Sequence, residues 1–208
     1  RPISLISCIG KLFERILKDR LKLLLNNLSF FNTWQRAYIR NREAGEIISN
    51  LVMEARCAKA KFGATGSRLN RTTAAFSLDV EKAFDTVWHE GLLYKMHKAG
   101  IPTEFLRIIC SFLHNRTLSV RIGSTLSRPV ILKAGTPQGS TLSPLLYLIY
   151  VNDIPLGARG DIRGGQFADD ITVWATARSK ARLQLQLQGT LNSVNEWCNQ
   201  WRIKLNAS

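Results

Sequence analysis

Apolar residues recur at helical spacing from Leu5 to Leu28, through Ile9, Leu12, Phe13, Ile16, Leu17, Leu21, Leu24 and Leu25, and predict a long amphipathic helix. Glu43 to Lys59 predicts a second helix, and Gly63 to Arg71 is a Gly/Thr/Ser/Arg loop. Thr73 to Asp79 then has the composition of a buried strand. Helices are expected at Glu90–Lys98 and Thr103–His114, with Pro102 at the start of the latter, where proline is tolerated. Leu118–Ile122 and Arg128–Lys133 predict a hairpin around Gly123-Ser124, and Thr141–Val151 a helix. Gln166-Phe167 and Ile171–Ala177 predict strands on either side of an Asp pair, and Ser179–Cys198 an amphipathic helix. Helices and short strands in this order fit an α+β fold, a small antiparallel sheet backed by helices.

The Asp pair is Asp169-Asp170, in Gln166-Phe167-Ala168-Asp169-Asp170-Ile171, and a third carboxylate, Asp79, closes the strand some ninety residues upstream. Side chains alternate faces along a strand, so a turn between two strands is where an Asp pair can meet an Asp at the end of a neighbour. An Asp pair beside such a turn is also ordinary hairpin chemistry. Two further blocks shift the balance: Asp79-Val80-Glu81-Lys82-Ala83-Phe84-Asp85, and Gly135-Thr136-Pro137-Gln138-Gly139-Ser140 between the acidic elements. Converging carboxylates repel unless a cation compensates them, and hard oxygen donors suit Mg²⁺.

In these blocks the chain resembles the reverse transcriptases of non-LTR (LINE-type), jockey-like retrotransposons. Leu78 to Trp88 resembles the first palm motif of that family, Gly135 to Asp153 the second, and Phe167 to Asp170 the third, in its Phe-Ala-Asp-Asp form. Arg1 to Glu14 and Gln35 to Arg40 resemble fingers segments, and Asn195 to Asn206 the start of the fourth palm motif. The resemblance implies a right-hand polymerase palm with partial fingers and no thumb. Residues 1–71 would be basic, helical fingers, and 72–208 the palm, with the 115–135 hairpin contributing to the fingers.

The activity implied is RNA-directed DNA polymerisation, transferring dNTPs to a primer 3′-hydroxyl with two Mg²⁺ ions, or Mn²⁺ in their place. Asp79, Asp169 and Asp170 would be catalytic metal ligands, joined by the carbonyl of Val80. Arg1, Phe84, Gln138 and Gly139 would serve the nucleotide, Phe84 by packing under the sugar and rejecting a 2′-hydroxyl. Gln35, Arg36 and Arg40 would contact the RNA template. By position alone Phe84 reads better as a core residue at a turn-to-helix junction, Gln138 by default as a turn residue, and Gln35, Arg36 and Arg40 nearly as readily as a solvated helix face. Asp85 is expected to stabilise the turn, and Trp174, Trp197 and Trp201 to lie in the core.

The net charge of +14 is unevenly placed. Residues 1–71 hold 14 basic and 5 acidic side chains, residues 72–170 hold 10 and 9, and residues 171–208 hold 5 and 1. Basic flanks around an acid-bearing stretch suit a protein that handles a polyanion, and equally a well-solvated basic surface. Cys8, Cys57, Cys110 and Cys198 form no CxxC pair and fit a reduced intracellular protein better than a zinc or disulfide scaffold. No apolar run is long enough for a membrane span.

The chain begins at Arg1 without an initiator Met and reads as part of a longer polyprotein, whose thumb and endonuclease would lie elsewhere. A nuclear site of action during integration follows from the resemblance alone. A relic that binds nucleic acid without turnover, and an RNA-templated RNA polymerase, are the other readings. Phe84 and the Ala-Asp-Asp form speak against the last.

Overall fold

The computed structural model describes residues 4–39, 42–60, 71–156 and 162–206. It divides into two compact units, Arg1–Phe31 with Lys82–Val151, and Asn32–Glu81 with Asn152–Ser208.

The first unit is helical. α1 (Cys8–Asn27) starts where Ser7 Oγ accepts from the Gly10 amide. Its buried stripe is Glu14, Leu17, Leu21 and Leu25. This corrects the expected face: Ile9, Leu12, Phe13 and Ile16 lie one stripe away and are exposed. α3 (His89–Lys98) packs against α4 (Thr103–Leu113) and α5 (Ser143–Val151). α5 is buried on nearly every side, as expected of a helix that is apolar all round. Lys95, itself buried, ties α3 to α5 by donating to the Tyr150 carbonyl at 2.7 Å.

The hairpin is two short ladders and not the single expected pair. β2 (Thr117–Leu118) pairs with β5 (Val130–Ile131), and β3 (Arg121–Ile122) with β4 (Thr125–Leu126). Gly123, at φ +60°, lets the inner pair close with a two-residue turn.

The second unit is a three-stranded antiparallel sheet in the order β1 (Thr72–Leu78), β7 (Asp170–Ala177), β6 (Ile162–Phe167). α2 (Ala44–Ala60) packs on all three strands, and α6 (Lys180–Gln200) packs on β7 and β1. Residues paired across antiparallel strands share a face. One face, through Ile171, Val173 and Ala175, is buried. On the other, Trp174 donates to Glu54 of α2 at 2.9 Å, and Gly165 lies so close to α2 that an added Cβ would stand 2.6 Å from Ile47. Toward the end of β7 that bears the Asp pair this face opens: Ser77 and Thr172 form an exposed hydroxyl pair at 3.2 Å. Among the described residues, no helix is long and apolar enough to cross a membrane.

Candidate active site

β6 and β7 are joined by the shortest of turns, because Phe167 pairs with Asp170 and only Ala168 and Asp169 lie between them. Ala168 has φ +56°, a left-handed conformation that costs a non-glycine residue about 1–2 kcal/mol. Its neighbourhood holds it there. Gln166, almost fully buried, donates from Nε2 to the Ala168 carbonyl at 2.9 Å, its amide donates to Trp34 O, and its carbonyl accepts from Arg36 N. Backbone strain of this kind, fixed from outside, is characteristic of functional turns.

β1 brings in the third acid. Leu78 pairs with Ile171, and the same register carried one residue further sets Asp79 opposite Asp170, on the open face. The carboxyl of Asp170 is held above its usual range, first by desolvation and then by the charges of Asp169 and Asp79. Three acids from two sequence-distant elements therefore share one electrostatic neighbourhood. Asp79 and Asp170 are exposed, with Asp169 half-buried.

Val80 pairs with Leu205 through two flanking bonds, Asn206 N to Asp79 O and Glu81 N to Lys204 O, each 2.9 Å. The peptide groups of Val80 itself are thereby turned to the opposite lateral side, that of β7. Among the described residues, no group of three or more His, Cys, Asp or Glu side chains is close enough together to hold a metal ion as it stands. The donor set still fits a hard divalent ion, since these are oxygen ligands, mutually repulsive, at an open turn where water and phosphate can complete the coordination.

Phe84, Gln138 and Gly139, expected at the nucleotide, lie in the first unit. Phe84 is half-buried with its ring 5.1 Å from that of buried Tyr147, tilted 41°. Gln138 Nε2 donates to both carboxylate oxygens of Asp85, at 3.0 and 3.1 Å, so Asp85 secures the Gln138 side chain. Gly135 (φ +87°) and Gly139 (φ +92°) bend the loop, and a Cβ at Gly135 would stand 2.8 Å from the Asp85 carbonyl oxygen. Arg116, Gly135 and Gln138 help line a pocket of about 220 Å³, where burial pushes the Arg116 pKa down. His89 Nε2 lies 2.8 Å from the Gly135 carbonyl oxygen, which makes it a brace for the loop.

Gln35 and Arg36 are not on a helix. Gln35 is fully buried, forms a bridge with Gln166, and accepts the Ala37 amide on Oε1, which places it under the turn and away from any surface a template could touch. Arg36 is half-buried and paired with Glu46 at 3.1 Å. Arg1 and Arg40 lie outside the described residues. Trp174, Trp197 and Trp201 are core residues. The supporting roles of Glu14, Asp85, Gln166 and Asn206 escape a reading by motif, because each acts on a group remote in sequence or on a backbone atom.

The whole chain, residues 1–208, matches the family model for reverse transcriptase (RNA-dependent DNA polymerase). It is 32% identical to the RNA-directed DNA polymerase from mobile element jockey of Drosophila melanogaster, over 100% of this chain and 22% of that protein. A probable RNA-directed DNA polymerase from transposon BS, also of Drosophila melanogaster, is 30% identical over 99% of this chain and 22% of its own length. The chain thus spans about a fifth of the length of these relatives. Among solved structures, apo telomerase from Candida tropicalis, truncated from its C-terminal domain, shares the fold with a TM-score of 0.64 and 14% identity, covering 92% of this chain and 39% of that one. The α+β architecture, the Phe-Ala-Asp-Asp turn facing Asp79 and the match along the full sequence agree, and the chain belongs to the reverse transcriptase family.

Proposed function

We propose that this chain is the catalytic segment of an RNA-directed DNA polymerase from a non-LTR retrotransposon, adding dNTPs to a DNA primer on an RNA template. The observation that carries the reading is the meeting of Asp79, Asp169 and Asp170 at one open turn. Reverse transcriptases are metal-dependent, and these three carboxylates with the Val80 carbonyl are the groups that would hold Mg²⁺ or Mn²⁺, as a pair of ions. Bound there, the metal supplies charge neutralisation on the triphosphate and activation of the primer hydroxyl. The chain's own part is positioning: β1 and the β6–β7 turn set the acids, Phe84 selects the sugar, and Gln138 with Gly139 lies against the nucleotide. Arg36, and Arg1 and Arg40 by family pattern, would meet phosphates. The assignment of 1–71 and the 115–135 hairpin as fingers, and 72–208 as palm, belongs to this proposal. So do a thumb and an endonuclease elsewhere in the longer protein, and action in the nucleus.

The test is Mg²⁺-dependent primer extension on an RNA template, with the chain alone and with flanking sequence added, beside Asp169→Asn. Extension that the substitution abolishes supports the reading. Retained RNA binding with no extension in any form would instead assign a nucleic-acid-binding role without turnover.

A further inference from the structure

Asn206 lies at the far end of the sequence from Asp79, yet its side chain is built into the carboxylate site. Its Nδ2 donates to Asp79 Oδ2 at 2.7 Å, while its backbone amide donates to the Asp79 carbonyl at 2.9 Å. One residue thus grips both ends of the Asp79 unit, and the bridge between Val80 and Leu205 fastens the strand beside it.

The chain reaches this position by a rigid route. α6 ends in a Schellman turn, with Ile203 N bonded to Cys198 O and Arg202 N to Asn199 O, and with Arg202 at φ +54°. Trp197, Cys198, Trp201 and Ile203 are all buried around that turn. The reversal sends residues 203–206 back along the end of β1, where the backbone ladder fixes their register. Asn206 itself is exposed, so core packing does not account for its side chain.

We infer that Asn206 is a positioning residue for the Asp79 carboxylate, orienting it for metal through a neutral hydrogen bond. An amide donor suits the task. It fixes the rotation of the carboxylate by taking one lone pair of Oδ2 and leaves Oδ1 to a cation. Because it carries no charge, it does so without competing electrostatically with a metal ion, as a lysine or arginine there would. Partners that orient metal ligands in this way typically affect metal affinity about 10–100-fold.

The inference rests on the proposed metal site, so its test separates the two. Mn²⁺ binding to the chain, without nucleic acid, is followed by electron paramagnetic resonance of the free ion, for the wild type, Asp169→Asn, Asn206→Ala, Asn206→Leu and Asn206→Gln. Thermal unfolding is recorded for each. Mn²⁺ binding that Asp169→Asn removes upholds the site; no such binding in the wild type overturns the site and the inference with it. Given the site, Asn206→Ala and the similar-sized Asn206→Leu are expected to weaken Mn²⁺ binding about tenfold at little change in melting temperature. Asn206→Gln, which keeps an amide donor, is expected to recover part of the loss. Affinities for the Ala and Leu variants equal to the wild type, with Asp169-dependent binding intact, would overturn the role of Asn206 alone. Equal losses in all three variants, matched by equal losses in melting temperature, would overturn it too, by showing a structural role.

Discussion

Glu14 on α1 reaches the loop before α5 and takes two hydrogen bonds on one carboxylate oxygen, from Ser140 Oγ at 2.8 Å and from the Thr141 amide at 2.7 Å. It is the one acid in the buried stripe of α1, and Ser140 Oγ in turn lies within hydrogen-bonding distance of the amides of Leu142 and Ser143. A chain of hydrogen bonds therefore runs from the first helix through Ser140 into the start of α5.

Replacing Glu14 by Ala strands a buried hydroxyl and a backbone amide at once. The expected loss of stability is about 2–3 kcal/mol, with Glu14→Gln, which keeps an acceptor of the same shape, losing about half of that. Urea unfolding of the two variants reads both values. Wild-type stability for Glu14→Ala would show that the bonds contribute nothing.

Two glycines separate conformational from steric demands in the same unit. Gly100 has φ +77° and open space where a Cβ would stand, whereas Gly135 has φ +87° and the Asp85 backbone within 2.8 Å. Gly100→Ala should cost about 1 kcal/mol, the price of a left-handed alanine. Gly135→Ala should cost more by at least about 1 kcal/mol, because backbone must move, and the movement displaces Asp85, the partner of Gln138. Thermal melts of the pair test the ordering; equal losses would contradict the close approach.

Much of this architecture is legible in the chain, and what is not has a common physical cause. Helix periodicity placed α2 to α6 to within about two residues, since apolar spacing along one element is local information. The apolar spacing of α1 includes Leu17, Leu21 and Leu25, which are buried, but it cannot mark Glu14 in the same stripe, whose burial makes sense only once Ser140 and Thr141 are beside it. The acids of the site were visible as types. Their convergence depends on the pairing of β1 with β7 across some ninety residues, which no local pattern encodes. Gln35 illustrates the same limit: a polar residue in a motif reads as a contact surface, but it is fully buried and its Oε1 accepts the Ala37 amide.

Cysteine reactivity reports on the packing of α6. Cys8, Cys57 and Cys110 are exposed, while Cys198 is buried and its thiol is pushed up to about 11 by desolvation. At pH 8 a maleimide should label three thiols of the native chain rapidly and Cys198 only on unfolding, as read by intact mass. The pH dependence follows from the raised value: below about 9 the thiol is neutral in both states, and the preference for the protonated form stabilises the fold. Between 9 and 11 the unfolded chain ionises first, so this contribution is lost as pH rises. A Cys198→Ala variant should lack that part of the alkaline decline.

Phe84 is placed to answer a question about substrate choice. Its ring is half-buried and leans on that of Tyr147, which is fully buried. A ring backed by a rigid neighbour makes a hard wall, and a wall rejects an added hydroxyl by clash where an apolar pocket alone discriminates weakly. Phe84→Val removes the wall and leaves Tyr147 in place, at an expected stability loss of about 1–2 kcal/mol. In single-nucleotide extension, the ratio of kcat/KM for dNTP over rNTP should fall at least about tenfold, carried by a gain with rNTP. A fall caused only by poorer use of dNTP would point to a disturbed site, and an unchanged ratio would remove Phe84 from sugar selection altogether.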